Sequence, residues 1–377
     1  MTPKEKLNLI LLGPAHPFRG GIADTNHAFA TELLNQNISF ELWTFTKLYP
    51  SIIFPGKTQY ETSKKEFSFP IHRKIHAYNP FNWKKIATNI NDQNPEVVVF
   101  RYWTPFLAPV LGNIARNLKP SIKKVALVDN WKPHEPKPWD RMFNRYFSDS
   151  MHLMTTFSEA VHSEIIKDVK LPTNKGFHPI STDLPRPITK EEARKKLKLK
   201  SETPFLLFFG LIRPYKGLDL LIDAMAKNPL FDSKTELLIV GEFYDKIEKY
   251  RSQIKKLGLD SRVRIVNKFV PFEVARDYFC ATDVIVQPYK TATQSGITPL
   301  AYYYQTPIAV TDLTGLKTPI QMDQTGEISD LNPLDLSSKI ASLLAPEKLL
   351  KATENINKSK EKYSWKSFVK QWLAFVQ

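Results

Sequence analysis

Short apolar runs alternate with amphipathic segments along most of the chain. In the first half the apolar runs are LNLILLG (7–13), FELWTF (40–45), PEVVVFRYW (95–103), KKVALVDN (123–130) and HLMTTF (152–157). Stretches of helical pattern, such as 22–37 and 105–119, lie between them. Continuous apolar strands that alternate with helices are typical of parallel sheets covered on both faces.

The alternation begins again after a proline-rich stretch at 176–197. The later apolar runs are PFLLFFG (204–210), TELLIVG (235–241), RVRIV (262–266), TDVIVQPY (282–289) and TPIAVTD (306–312). The pattern therefore predicts an α/β fold of two tandem Rossmann-like, doubly wound domains facing a central cleft. Such sheets bind ligands at the carboxyl ends of their strands, so we expect the chemistry in loops that follow strands.

Composition shifts set the expected domain boundaries. We predict an N-terminal Rossmann-like domain over 1–178, a linker over 179–190 and a C-terminal Rossmann-like domain over 191–350. The tail, 351–377, contains the apolar pattern WKSFVKQWLAFV and is predicted to be a helix that packs back towards the N-terminal domain. A chain of 377 residues fits two such domains.

Charge and cysteine content narrow the possible functions. The formal net charge of +15 favours an anionic partner, although generic solvated lysines account for it equally well. The sequence lacks a basic cluster interleaved with aromatic residues, which is the pattern typical of nucleic-acid binding. The single cysteine, Cys280, excludes a cysteine-cluster metal site, and no apolar run is long enough to cross a bilayer. We expect a cytoplasmic protein, either free in the cytoplasm or peripheral on the cytoplasmic membrane face.

Three loops are candidates for binding an anion. Gly20 and Gly21 follow the first strand and precede a helix, where backbone amides can approach an anion, although a tight turn explains them equally well. Arg213 and Lys216 lie between a strand and a helix, and a diphosphate there would meet two cations and the positive end of that helix. Solvated surface charge is the alternative for this second loop.

The third loop follows the strand that ends near residue 287. Thr298 is a suitable N-cap and Pro299 a suitable first residue for the next helix. The amides of Gly296 and Ile297 would then form a second anion pocket. A simple polar turn explains the small residues of this loop but not its length.

The chain resembles a known family in combination rather than in any one motif. The stretches FFGLIRPYKGLDLLIDAM, LLIVGEFYD, RVRIVNKFVPFEVARDYFCATDVIVQPY and TPIAVTDLTGL resemble the C-terminal half of GT-B-fold glycosyltransferases of family 4, also called group 1. The segment at 13–37 resembles the N-terminal, acceptor-side half. The resemblance implies a nucleotide-sugar donor in the C-terminal domain, an acceptor in the N-terminal one, and retention of configuration without a metal.

The resemblance also implies roles for individual residues. Lys216 matches the family lysine that binds the donor diphosphate, and Arg213 stands two positions after the usual arginine. Gly241 corresponds to a glycine close to the nucleotide. The backbone around Phe269 occupies the place that contacts the base. Gln294, Ser295, Gly296, Ile297 and Thr298 form the remaining expected donor-binding loop.

The sequence departs from the family at its carboxylates. Leu300 and Ala292 occupy the two glutamate positions of the E-x7-E motif, so ribose binding must differ. Asp129 stands where a histidine contacting the donor sugar is expected, and His134 and Glu135 are retained. We predict catalytic roles for these three residues, with a simple strand-ending turn as the alternative for Asp129. No metal site and no cofactor other than the sugar nucleotide is expected.

The leading hypothesis is a retaining, metal-independent hexosyltransferase. Its expected acceptor is a saccharide or a lipid-linked molecule, in surface polysaccharide or glycolipid synthesis. A lipid-linked acceptor would bring the protein into peripheral contact with the inner membrane face. The alternative is a catalytically inactive, glycosyltransferase-like protein that binds a nucleotide sugar or a partner protein. No nucleic-acid partner is expected.

Overall fold

The chain forms two units with separate internal contacts. The computed structural model describes residues 7–49, 59–61, 66–133, 137–181, 184–293 and 295–377. The N-terminal unit comprises Met1–Phe177 and Trp365–Gln377. The C-terminal unit comprises His178–Ser364.

The N-terminal unit contains one parallel sheet of seven strands in the order β3-β2-β1-β4-β5-β6-β7. The strands are β1 (Asn8–Leu12), β2 (Ser39–Lys47), β3 (Ile71–His76), β4 (Val97–Tyr102), β5 (Lys123–Val128), β6 (Leu153–Thr156) and β7 (Thr173–Lys175). Its helices are α1 (Gly21–Asn35), α2 (Pro80–Gln93), α3 (Ala108–Arg116), α4 (Asp140–Ser148), α5 (Glu159–Asp168) and α14 (Trp365–Val376), with a 3-10 turn at Pro105–Leu107. Apolar side chains on both faces of the sheet are buried, as the continuous apolar runs predict.

The C-terminal unit contains a parallel sheet of six strands in the order β10-β9-β8-β11-β12-β13. The strands are β8 (Phe205–Phe209), β9 (Glu236–Val240), β10 (Val263–Val266), β11 (Val284–Gln287), β12 (Ile308–Thr311) and β13 (Gly326–Ser329). Its helices are α6 (Lys190–Lys196), α7 (Leu218–Met225), α8 (Ile247–Lys256), α9 (Phe272–Ala281), α10 (Ile297–Tyr303), α11 (Thr314–Asp323), α12 (Pro333–Leu343) and α13 (Pro346–Ser359), with 3-10 turns at Pro214–Lys216 and Lys360–Tyr363. Within the described ranges, no helix combines the length and apolarity needed to cross a membrane.

The predicted α/β class with two doubly wound sheets is confirmed. The sequence analysis did not identify the edge strands β3, β7 and β13. Their sequences, IHRKIH, TNK and GEIS, are short and polar, because an edge strand is not buried on all sides. Hydrophobic pattern alone does not detect such strands.

The tail, predicted as a helix over 351–377, is divided into two helices. The helix α13 ends at Ser359, a 3-10 turn follows, and α14 begins at Trp365. The backbone amide of Ile180 donates to the carbonyl oxygen of Tyr363 at 2.8 Å, and the Asp323 carboxylate accepts from the Tyr363 hydroxyl at 2.5 Å. These contacts hold the chain in a non-helical conformation before α14. They also place the predicted linker region, 179–190, in the C-terminal unit.

The last helix, α14, supplies part of the core of the N-terminal unit. Trp372 is fully buried, and its ring meets Phe29 of α1 edge-on at a centroid distance of 5.1 Å. Phe368 stacks on Phe157 at 5.0 Å. The first and last segments of this unit are therefore packed together although more than 300 residues separate them in sequence.

We predict that Trp372→Ala lowers the free energy of unfolding of the N-terminal unit by about 3–5 kcal/mol, because it leaves a cavity against Phe29. Trp372→Phe costs much less, since the ring is kept and the indole N–H has no hydrogen-bond partner among the described residues. Urea denaturation, monitored by circular dichroism, measures the free energy of unfolding of both variants. The half-exposed Trp139 provides the matched control, and Trp139→Ala should change stability by less than about 0.5 kcal/mol. Equal effects of the two alanine variants would contradict this account.

Candidate active site

Each sheet has a position where its strand order reverses, which is where open α/β sheets bind ligands. In the C-terminal unit this position lies between the neighbouring strands β8 and β11. The loop after β8 carries Arg213 and Lys216, and the loop after β11 leads to α10. Two of the three loops predicted from the sequence therefore flank one switch point.

Two glycines allow the backbones of these loops to approach closely. Gly217 has φ +68°, and a Cβ atom there would lie 1.9 Å from the carbonyl oxygen of Pro288. Gly241 has φ +148°, and a Cβ atom there would lie 1.9 Å from the carbonyl oxygen of Gly210. Any other residue would displace the loops after β8, β9 and β11 from one another.

Lys216 lies between these loops. Its ammonium nitrogen is 3.1 Å from where a Cβ atom on Gly210 would stand, and Ile297 of α10 is 3.6 Å from the same point. The ammonium group also lies 5.5 Å from the ring centroid of Tyr289. The residue is only 9% exposed, and within the described part of the chain no acceptor or carboxylate pairs with its ammonium group. The site therefore holds a buried cation without a counter-charge.

The environment lowers the pKa of Lys216 to about 8. Burial is the larger cause, because it disfavours the charged form, and the positive charge of Arg213 is the second. Lys216 therefore remains largely protonated at pH 7 and loses its proton as the pH rises through about 8. An anion bound at this place would restore the charge balance that the protein leaves open.

Arg213 is an exposed residue at the edge of the same site. Its guanidinium carbon lies 5.2 Å from the ring centroid of Tyr244, which follows β9. Arg213 precedes the 3-10 turn that contains Lys216, so the two cations enter the site from one short segment.

The start of α10 differs from the prediction. Gly296 occupies the N-cap position and Ile297 is the first helical residue, so Thr298 is not the cap and Pro299 is not the first residue. The amide of Ile297 donates to the Ser295 hydroxyl at 3.2 Å. The Thr298 hydroxyl accepts instead from the side-chain amide of buried Gln287 at 3.1 Å. An anion that binds the Ile297 amide, as predicted, would therefore have to displace the Ser295 hydroxyl from it.

The donor-binding roles predicted for the remaining residues are not tested by the structure. Phe269, after β10, is 74% exposed. Gln294 lies outside the described residues. Leu300, at the place of a family glutamate, packs on an apolar cluster, and the carbonyl oxygen of Ala292 faces Gly315. These contacts provide no carboxylate for a ribose at either position.

In the N-terminal unit, Gly20 caps α1 without a side-chain hydrogen bond and has φ +113°. A Cβ atom on Gly20 or Gly21 would meet nothing within 4 Å. Glycine is therefore required at position 20 by its backbone angle, not by crowding. Because the turn is open, small groups can reach the first amides of α1.

Asp129 forms a buried ion pair with Arg101 of β4. Its two carboxylate oxygens accept from the guanidinium group at 2.5 and 2.6 Å. The same guanidinium group donates to the Thr25 hydroxyl in α1 at 2.7 Å and lies 4.5 Å from the centroid of the Phe157 ring. This pairing gives Asp129 a structural task, since it neutralises an arginine that is 1% exposed. Its catalytic role stays a prediction.

His134 and Glu135 lie outside the described residues, so their predicted catalytic roles are not tested. Among the residues that the structure does describe, no group of three His, Cys, Asp or Glu side chains is arranged to hold a metal ion.

Sequence reasoning missed Arg101 and Gln287. The signal for Arg101 was available, because an arginine inside the apolar run PEVVVFRYW must be paired if the strand is buried. Gln287 is recognisable only from the contact that its side-chain amide makes with Thr298 in the folded chain.

At the switch point of the C-terminal sheet, a buried cation without a partner among the described residues lies beside an arginine, and such switch points are where open α/β sheets bind ligands. Residues 189–362 match the model of the family described as Glycosyl transferases group 1, so this part of the chain is similar to that family.

Curated relatives are similar over part of their length. The D-inositol 3-phosphate glycosyltransferase of Geodermatophilus obscurus is 25% identical over 206 residues, which are 52% of this chain and 45% of the relative. The GDP-mannose:glycolipid 4-beta-D-mannosyltransferase of Xanthomonas campestris pv. campestris is 33% identical over 104 residues, 27% of this chain and 29% of the relative. The chain thus spans about half or less of the length of these relatives.

Solved structures share the fold over nearly the whole chain. Sucrose-phosphate synthase from Thermosynechococcus elongatus has a TM-score of 0.75 at 15% identity and covers 97% of each chain. HepE of Anabaena, in complex with UDP and glucose, has a TM-score of 0.70 at 13% identity and covers 98% of each chain. The fold is that of the GT-B glycosyltransferases.

We predict that Arg213→Gln raises the pKa of Lys216, because it removes the second cause of the lowering. Heteronuclear NMR titration of lysine side chains measures this pKa. The exposed Arg251 of α8 provides the control, and Arg251→Gln should leave the Lys216 titration unchanged. An unchanged pKa in Arg213→Gln would show that the two charges do not interact.

We predict that Asp129→Asn destabilises the N-terminal unit by about 3–5 kcal/mol, because it leaves the Arg101 charge buried and unpaired. The double variant Arg101→Met/Asp129→Leu should recover most of this loss, since it removes both charges. Chemical denaturation measures both variants. If Asp129→Asn retains stability but loses turnover, Asp129 is catalytic rather than structural.

Proposed function

We propose that this chain is a retaining hexosyltransferase that moves a sugar from a nucleotide-diphosphate donor to an acceptor hydroxyl. The match of residues 189–362 to the model of Glycosyl transferases group 1 supports the class of reaction. The observation that carries the assignment of the donor site is the buried ammonium group of Lys216, which has no counter-charge within the described residues.

A donor diphosphate would complete the charge balance at Lys216. Folding leaves this cation only 9% exposed, which costs free energy that an ordinary surface lysine does not lose. Arg213 adds a second positive charge at the rim. Two cations at a strand-to-helix loop of this kind fit a diphosphate better than a neutral ligand.

The same cations would act during the transfer step. The bond between the anomeric carbon and the β-phosphate oxygen breaks, and negative charge grows on that phosphate. The acceptor oxygen forms the new bond on the same face of the sugar, and its proton passes to the departing phosphate oxygen. Lys216 and Arg213 would stabilise the growing charge, because fixed charges act strongly where water is excluded. We propose that they do so without a resident metal ion.

The setting of the reaction is also a proposal. Surface polysaccharide or glycolipid synthesis is supported by the relatives, one of which is a glycolipid mannosyltransferase. The net charge of +15 is compatible with peripheral contact to an anionic membrane face. UDP is a reasonable first donor nucleotide to test, because the structurally similar HepE is solved with it.

A second candidate is a catalytically inactive nucleotide-sugar-binding protein. Leu300 and Ala292 in place of the family carboxylates favour it. Hydrolysis of donor sugar by the purified protein separates the two functions, since a binding protein would hold the nucleotide without turning the donor over.

We predict that Lys216→Met raises the melting temperature of the unliganded protein but lowers donor turnover by about 10²–10³-fold. The methionine removes an uncompensated buried charge, while the reaction loses one stabilising donor. Thermal-shift assays with UDP-, GDP- and ADP-sugars identify the nucleotide, and hydrolysis of that donor measures turnover.

The exposed Lys255 of α8 provides the matched control, and Lys255→Met should change neither quantity. If Lys216→Met retains wild-type turnover, Lys216 does not bind the donor. The same conclusion follows if the variant has the melting temperature of the wild type and binds the nucleotide equally well.

A further inference from the structure

The segment that carries Arg213 continues the pairing of β8 with β9 beyond the end of the sheet. The backbone amide of Ile212 donates to the carbonyl oxygen of Glu242 at 2.9 Å, and the amide of Tyr244 donates to the carbonyl oxygen of Ile212 at 2.9 Å. These two bonds form one further parallel bridge, between Ile212 and Phe243. The backbone next to Arg213 is therefore fixed by the segment that follows β9.

This extended backbone explains how the arginine can stand two positions later than in the family motif, where it would occupy the place of Leu211. Leu211 is 39% exposed, Ile212 is fully buried, and Arg213 is exposed again with φ −132° and ψ 154°. Alternate residues of an extended chain lie on the same face. A shift of two positions therefore keeps the arginine on its face but moves it about 7 Å along the chain.

Tyr244 provides the side-chain contact of the displaced arginine. The guanidinium carbon of Arg213 lies 5.2 Å from the centroid of the Tyr244 ring, and the group has no hydrogen bond or ion pair within the described ranges. The charge of Arg213 also acts on the pKa of Lys216, so the two cations are near each other. A guanidinium group that packs on a ring uses its planar face and leaves its N–H edge free.

We propose that Tyr244 is a positioning residue of the donor site, which holds the Arg213 guanidinium group by its face so that the N–H edge can bind the donor diphosphate. An exposed arginine loses side-chain entropy when a ligand fixes it, and a contact that restrains it beforehand lowers this cost. The inference rests on the proposed function, because it assumes that a diphosphate binds beside Lys216.

Two other roles of Tyr244 give different results in variants. If its hydroxyl group binds the ligand, Tyr244→Phe is as defective as Tyr244→Leu. If its ring contacts the ligand directly, Tyr244→Leu weakens binding even when Arg213 has been replaced. Only a role through Arg213 depends on both the ring and the guanidinium group.

Isothermal titration calorimetry of the full-length protein with inorganic pyrophosphate tests the proposal. Tyr244→Leu should weaken binding about two- to fivefold, and Tyr244→Phe should bind as the wild type does. In an Arg213→Gln background, Tyr244→Leu should have no further effect. The matched control is Tyr146→Leu, which removes the ring that lies 3.7 Å from the Arg116 guanidinium group in the N-terminal unit and should leave binding unchanged.

NMR titration of Lys216 provides a second measurement, made without any ligand. Tyr244→Leu should raise the pKa of Lys216 towards its value in Arg213→Gln, because a released arginine spends less time near the ammonium group. Tyr244→Phe should leave this pKa unchanged. Since Tyr244 is 54% exposed, its replacement removes no core packing that could shift the titration by itself.

The proposal is supported if both measurements depend on the ring and on Arg213. It is overturned if Tyr244→Leu matches the wild type in either one, if Tyr244→Phe shares the defect, or if the loss of affinity persists in the Arg213→Gln background. Any of these results leaves the proposed function in place. Failure of the wild type to bind pyrophosphate would instead contradict the donor site, and this inference with it.

Discussion

The candidate donor site of the C-terminal unit depends on the positive charge of Lys216, which no group among the described residues balances. Burial and a neighbouring arginine both act against protonation, yet a pKa of about 8 keeps the group charged near neutrality. The surrounding loops hold it in place: Gly217 packs against Pro288, and Gly241 packs against Gly210. The fold thus maintains an energetically unfavourable cation at the position where a parallel sheet binds its ligand.

The N-terminal unit also contains a buried cation, Arg101, but this one is paired with a carboxylate. Arg101 is paired with both oxygens of Asp129 and also donates to Thr25 of α1. A buried charge whose counter-charge is present is neutralised within the fold, whereas a buried charge without one costs free energy that a bound ligand of opposite charge would offset. This contrast is why Asp129, a plausible base from its position in the sequence, has a structural alternative, while Lys216 remains the stronger candidate for a functional residue.

Much of the fold can be predicted from the hydrophobic pattern of the sequence, whereas much of the candidate site cannot. The central strands are detectable because they are continuous apolar runs, whereas the polar edge strand β7 is not. Lys216 is recognisable because it stands in a family motif at a strand end. The cap of α10 was assigned to Thr298 on residue type, but the Thr298 hydroxyl is held by Gln287, which is distant from the helix start in sequence. Local preference therefore gave the wrong N-cap.

The amino-acid sequence by itself determined two parallel sheets, the loops that follow their strands, and the cations placed there, because periodicity and turn chemistry act over a few neighbouring residues. Only the tertiary structure decided which charges are balanced. Asp129 is paired because β4 and β5 are neighbours in the sheet, and Lys216 is unpaired because no carboxylate of the described chain reaches it. Charge balance depends on distances across the fold, and those distances are fixed only when the strands pack together.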